Sequence, residues 1–130
     1  MIVVDLDSFK LVNDTHGHSA RDECLHKVVS VIGTVVGTRG RLYRWGGDEF
    51  VVCLHDFSTE EAKVTAERIR LAVESAKPGG EIPVTTSIGV CGTDCIDSSA
   101  AQDILDFADK AMDESKRSGK NRVTTVNLPK

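Results

Sequence analysis

Arg44-Trp45-Gly46-Gly47-Asp48-Glu49-Phe50 links two apolar, strand-like runs, residues 41–45 and 50–54. Two such runs on either side of Gly-Gly read as a β-hairpin, because paired glycines accept the positive φ of primed turns. Two carboxylates, Asp48 and Glu49, follow the turn directly. A tight turn needs only a polar residue or two, and water satisfies it. Adjacent acids beside a bare glycine backbone point further, to a cation and to a ligand lying close to the main chain. The plainer alternative is a solvated tip with incidental acids.

The 130 residues make one domain's worth of chain, long enough for a core of two packed layers. Apolar residues are 40% and charged residues 28%, as in ordinary globular domains. No apolar run approaches the ~20 residues of a membrane-spanning helix. The first residues lack the basic and apolar regions of a secretory leader, so the expected compartment is the cytoplasm. A net charge of −4 argues against a nucleic-acid surface, which would be basic, but leaves room for a nucleotide held through metal ions. Cys24, Cys53, Cys91 and Cys95 lie in or beside apolar runs without a C-x-x-C pair. They read as reduced, mostly buried thiols rather than zinc ligands.

Ile2-Val3-Val4 is a continuous β-branched run, which suits a central strand buried on both faces. It ends in Asp5-Leu6-Asp7, and the carboxyl end of a buried strand is where α/β folds place ligands. Asp7 also suits a turn or a cap; Asp5 still lies within the strand. Residues 8–18 are too polar for a strand. They predict a single helical turn over 9–12 whose free amides, with Lys10, can hold phosphate oxygens. His16 and His18 flank a glycine and read as loop residues or, less simply, as metal ligands.

Apolar residues at three- and four-residue steps predict a helix over 20–36, buried through Leu25, Val28, Val29, Ile32, Val35 and Val36. Asp22 falls in its first turn, where an acid suits the helix dipole. After the hairpin, Ser58 and Glu61 form a capping box ahead of a second long helix. Residues 84–91 read as a strand in which Gly89 marks a bulge or a close backbone approach. Ser99 with Gln102 opens a third helix, ended by Gly119, and 122–126 form a last edge strand. Strands interleaved with helices plus one antiparallel hairpin predict an α/β chain of the α+β type, a mixed central sheet with helices packed against it.

The turn carries the signature of GGDEF domains, the diguanylate cyclases, and the resemblance covers essentially the whole chain in order. Val4-Asp5-Leu6-Asp7-Ser8-Phe9-Lys10-Leu11-Val12-Asn13-Asp14-Thr15-His16-Gly17-His18 resembles the family's first strand and loop. Ala66-Glu67-Arg68-Ile69-Arg70, Thr86-Ser87-Ile88-Gly89-Val90, and Ala108-Asp109-Lys110-Ala111 through Gly119-Lys120-Asn121-Arg122-Val123 resemble its later blocks. The resemblance implies a fold like the palm of nucleotide cyclases and polymerases. It also implies condensation of two GTP into cyclic di-GMP, with release of two pyrophosphates, by a homodimer whose protomers each present one GTP.

It implies site roles as well. Asp5 and Asp48, with the Leu6 carbonyl, match ligands of Mg2+ (or Mn2+), a hard cation that takes oxygen donors. Asp7 matches the motif but looks structural. Glu49 matches either a metal ligand or the group that takes the ribose 3′ proton. The amides of Ser8, Phe9 and Lys10, with the side chains of Lys10, Lys116 and Lys120, match phosphate contacts. Asn13 and Asp22 match the pair that reads guanine, which makes Asp22 more than a first-turn acid. Gly46 and Gly47 let the nucleotide approach the main chain.

Several residues depart from the pattern. Where the family carries an Arg-x-x-Asp product-inhibition motif, this chain has Gly37-Thr38-Arg39-Gly40, so no inhibitory site of that kind is expected. Arg21 replaces a usual glycine, Asp113 a usual aromatic, and Lys120 a usual Arg, which keeps the charge and loses the bidentate fork. The family's segment ahead of the first strand is absent. The expected reading is one domain over 1–130, taken from a longer protein with an upstream sensory or dimerising part. The alternative function is a catalytically weak domain that binds GTP or cyclic di-GMP as a receptor. No nucleic acid and no membrane contact by this domain are expected.

Overall fold

The middle strand of a five-stranded sheet is β1 (Ile2–Asp7), as its unbroken apolar run predicts. Its apolar residues are at most 1% exposed, so both sheet faces are covered there. The computed structural model describes residues 1–92 and 101–127. Along the chain follow α1 (Phe9–His16), α2 (His18–Val36), a short 3-10 turn, β2 (Gly40–Arg44), β3 (Glu49–Leu54) and α3 (Thr59–Ala76). Then come β4 (Thr85–Gly92), α4 (Ala101–Arg117) and β5 (Arg122–Asn127). The spatial order is β2-β3-β1-β4-β5, with only the β4–β5 pair parallel. The sheet is therefore mixed, and β5 is an edge strand, as the sequence predicts.

Alternation along β1 divides the core. Ile2, Val4 and Leu6 point into the larger cluster, with Val28 and Ile32 of α2 and Ala66, Ile69 and Val73 of α3. Val3 points the other way and packs with Val51 and Cys91 against Ile104, Ala108 and Met112 of α4. Asp5 and Asp7 continue the Val3 side. Gly89 is the close approach its position suggests: a Cβ there would collide with the backbone of Ala108 and Met112, so α4 lies directly on β4.

Local expectations change in α1 and at the hairpin turn. The predicted single turn is two turns of helix, because Phe9 and Val12 bury one side while Lys10, Asp14, Thr15 and His16 face solvent. Gly17, at φ 88°, ends α1 by donating its N–H to the Asn13 carbonyl at 2.8 Å. The hairpin is real, but neither Gly46 nor Gly47 takes the positive φ of a primed turn. Its loop spans four residues and closes when the N–H groups of Trp45 and Gly46 both donate to the Glu49 carbonyl, at 2.8 and 3.2 Å. The Arg44 guanidinium folds over it, donating to the carbonyls of Gly46 and Gly47 at 3.1 and 2.9 Å.

In α2, Val29 is 42% exposed rather than buried, since it sits on the flank of the Leu25–Val28–Ile32 stripe. The Ser58–Glu61 capping box is present in both directions. Cys24 and Cys91 are buried and Cys53 half-buried, all three as free thiols. Cys95 and the expected Ser99 helix start lie outside the described residues. No helix among the described residues is long and apolar enough to cross a membrane.

Candidate functional site

Antiparallel pairing of β1 with β3 sets Asp5 directly opposite Glu49, and pairing with β4 sets Asp7 opposite Thr85. The Leu6 N–H donates to the Asp48 carbonyl at 3.0 Å, which ties the glycine turn to the end of β1. Asp5, Asp48 and Glu49 thus converge from β1 and the hairpin, and Asp48 raises the cost of charging both Asp5 and Glu49. Over this group α4 brings Asp109 and Lys116, which are seven residues apart and so lie on one side of the helix.

The two β1 acids meet different surroundings. Asp7 is 2% exposed and fully engaged. Ser87 and Thr85 donate to it at 2.7 Å each, the Asn121 N–H at 3.1 Å, and the Lys116 ammonium lies 3.1 Å away. Burial alone would raise its pKa, but the donors from Ser87, Thr85, Asn121 and Lys116 hold it below the usual carboxylate range. It anchors β1 to β4 and to the turn before β5 and does not cap α1, whose N-cap Ser8 has no side-chain cap bond. Asp5 has only the Lys116 ammonium at 3.6 Å, and its Oδ1 is buried without a partner. Burial pushes its pKa up to about 6 against the pull of Lys116, with Asp48 and Asp7 adding to the rise. Burial and a hydrogen-bonding contact with Asp109 push Glu49 up to about 7, with Asp5 and Asp48 contributing.

This donor set fits a hard divalent cation. The Lys116 ammonium already donates to the Leu6 carbonyl at 3.3 Å and lies against Asp5, so a positive charge is favoured there. The orphaned Asp5 Oδ1 is an acceptor with nothing to accept. Among the described residues no three His, Cys, Asp or Glu side chains stand together as a ready metal site. Two carboxylates and a main-chain carbonyl instead suit an ion that keeps waters and phosphate oxygens among its ligands.

Next to the acids a cleft of about 210 Å³ is lined by Phe9, Lys10, Asn13, Arg21, Gly47 and Asp48. Space is open above Gly47, where an added Cβ would meet nothing within 4 Å, while at Gly46 it would stand 3.8 Å from the Glu49 Cβ. The first turn of α1 has no side-chain cap on its amides, and Ser8 at φ 64° leads into it. Asn13 Oδ1 is buried and unpartnered. Asp22 does not line this cleft; it lines a neighbouring groove with Leu25, His26, Val29 and Arg44. Lys120 is exposed on the left-handed turn after α4, outside the cleft lining, while its neighbour Asn121 holds Asp7.

Sequence reasoning missed Asp109. It lies inside the Ala108–Ala111 block, and its two-turn spacing from Lys116 was the available signal.

Residues 1–122 match the family described as diguanylate cyclase, GGDEF domain. The chain is 42% identical over its full length to diguanylate cyclase A of Treponema denticola, of which it covers 36%. It is 41% identical over 98% of its length to the probable diguanylate cyclase DgcT of Escherichia coli, of which it covers 29%. The chain thus spans about a third of the length of these curated relatives. Its fold is similar to the GGDEF domain of DgcB from Caulobacter crescentus in complex with c-di-GMP, at a TM-score of 0.85 and 32% identity, covering 95% of this chain and 75% of that one. It is equally similar to the active GGEEF domain of a diguanylate cyclase from Vibrio cholerae, at 0.85 and 30%, covering 98% and 82%. The acid-bearing hairpin, the sheet that positions it and these matches agree: the chain belongs to the GGDEF domain family of diguanylate cyclases.

Proposed function

We propose that this chain is a cyclase unit that condenses two GTP into cyclic di-GMP and releases two pyrophosphates, in a homodimer with one GTP per protomer. The observation that carries the reading is the convergence of Asp5, Asp48 and Glu49 beside an open, glycine-floored cleft, with an unpartnered carboxylate oxygen among them. Relatives named diguanylate cyclase and a structural neighbour in complex with c-di-GMP support the nucleotide class.

Asp5, Asp48 and the Leu6 carbonyl would hold Mg2+ or Mn2+. When bound, such an ion offsets the negative charge that develops at the phosphate during transfer. The α1 amides from Ser8 to Lys10, with the Lys10, Lys116 and Lys120 side chains, hold the triphosphate. Asn13 reads the base edge from the cleft and Asp22 from the groove beside it, and Gly46 and Gly47 leave the base room. A ribose 3′ oxygen of one GTP attacks the α-phosphorus of the other; the bond to the β-phosphate's bridging oxygen breaks and pyrophosphate leaves. Glu49, at about 7, is poised to take the 3′ proton near neutral pH.

Without the Arg-x-x-Asp ends, the 37–40 window offers no inhibitory site of the usual kind, and any product that binds does so in the active cleft. The work is cytoplasmic. The test is incubation of concentrated protein with GTP and Mg2+, followed by chromatography of the nucleotides beside an Asp48→Ala control. Cyclic di-GMP from the first and none from the second supports the reading. GTP left intact by the longer protein would overturn it. At low protein concentration the rate should rise faster than linearly.

A further inference from the structure

Arg21 stands where glycine is usual, and its place in the fold gives that departure a use. Its side chain lines the cleft together with Asn13, Gly47 and Asp48. Its guanidinium carbon lies 5.6 Å from the centroid of the buried Phe9 ring, so the planar group is held against a fixed surface. Among the described residues Arg21 takes part in none of the salt bridges, which leaves its donors free for a ligand.

The α1–α2 junction sets Arg21 beside Asn13. The Gly17 N–H donates to the Asn13 carbonyl at 2.8 Å, and the Arg21 N–H donates to the Gly17 carbonyl at 3.1 Å. Because Asn13 and Arg21 line the same cleft, a donor fork and the buried, unpartnered acceptor Asn13 Oδ1 are available to one ligand. Guanine presents the matching pattern: acceptors at O6 and N7, donors at N1 and the 2-amino group. Adenine presents an amino donor where O6 would be, against a guanidinium that can only donate.

We propose that Arg21 is a specificity-determining residue that pairs with guanine O6 and N7 while Asn13 accepts from the base's donor edge. The proposal rests on reading the cleft as the GTP site. It adds Arg21 to that reading as the residue of α2 that lines the cleft, with Asp22 in the groove beside it.

The test is calorimetric binding of GTP and 7-deaza-GTP, which lacks the N7 acceptor, with Ca2+ present to prevent turnover. The wild type, Arg21→Ala and Arg21→Lys are compared, with folding checked by thermal melting. The wild type should bind 7-deaza-GTP roughly tenfold more weakly than GTP. Arg21→Ala should bind the two alike, and Arg21→Lys should lose most of the difference because it lacks the fork. Equal affinities in the wild type, or the same ratio kept by Arg21→Ala, would overturn the role of Arg21 and leave the GTP site standing. No binding of either nucleotide by the folded wild type would overturn both.

Discussion

Asp5 and Asp7 sit two residues apart on one face of β1, and α4 covers both, yet the chain treats them oppositely. Asp7 receives two hydroxyls, a main-chain N–H and an ammonium, and its carboxyl is held below the usual range. Asp5 shares the same ammonium at longer range, keeps one buried oxygen unpaired and is pushed up to about 6. The difference lies in the neighbouring strands. Asp5 is paired with Ser87 of β4 on one side and with Glu49 of β3, another acid, on the other, but the Ser87 hydroxyl, like that of Thr85, is given to Asp7. One strand end therefore carries an anchor and, beside it, an acidic pocket that the fold leaves unsatisfied. Unsatisfied buried charge is what a fold tolerates where a ligand will supply the missing partner.

The contrast can be broken most sharply at the acids themselves. Asp5→Asn should lower cyclic di-GMP formation at least about 100-fold, since a charge facing the transferring phosphate is lost. Its melting temperature at pH 8 without divalent ions should hold or rise. Asp7→Ala should do the reverse to stability, costing about 3 kcal/mol in urea unfolding, because it strands the Lys116 ammonium and three donors. If Asp5→Asn unfolds more easily than Asp7→Ala, the division between pocket and anchor fails.

A smaller effect sharpens the comparison through pH. Glu49 titrates at about 7 in the fold against an ordinary 4.5, so the fold favours its protonated form. Its contribution to stability is present below the ordinary value and is lost as pH rises through about 7. Glu49→Gln should therefore raise the melting temperature by roughly 3 °C at pH 8.5, a figure scaled down for partial exposure, and leave it unchanged at pH 4. Asp7 runs the other way, with its stabilisation present above the ordinary carboxylate value and lost on acidification below it. Smallest of all, Asp109→Asn should bring the Glu49 titration back toward its ordinary value in carboxyl carbon NMR, with little change in melting. A Glu49 midpoint unmoved by that substitution would remove Asp109 from the pocket.

Most of the architecture was legible along the chain. The Ile2-Val3-Val4 run announced the central strand, the Ser58–Glu61 pair the start of α3, and Gly89 the approach of α4. The glycine turn was legible as a hairpin but not in its mechanism, since four-residue closure and the Arg44 clasp depend on atoms on both sides of the loop. In α1, local polarity hid a helix whose burial of Phe9 and Val12 comes from the rest of the fold.

By itself the sequence determined the order of strands and helices, the family to which they belong and the short list of acids, lysines and glycines that serve the site. These follow from periodicity, turn chemistry and ordered motifs, all of which act over a few neighbouring residues. Only the tertiary structure decided which β1 acid is satisfied, that Asp109 joins Glu49, that Lys116 bridges Asp5 and Asp7, and that Arg21 rather than Asp22 lines the cleft. The physical reason is separation along the chain. Lys116 meets Asp5 and Asp109 meets Glu49 only because Gly89 lets α4 settle on the sheet, and the side that α2 presents to the cleft is set by its junction with α1 at Gly17.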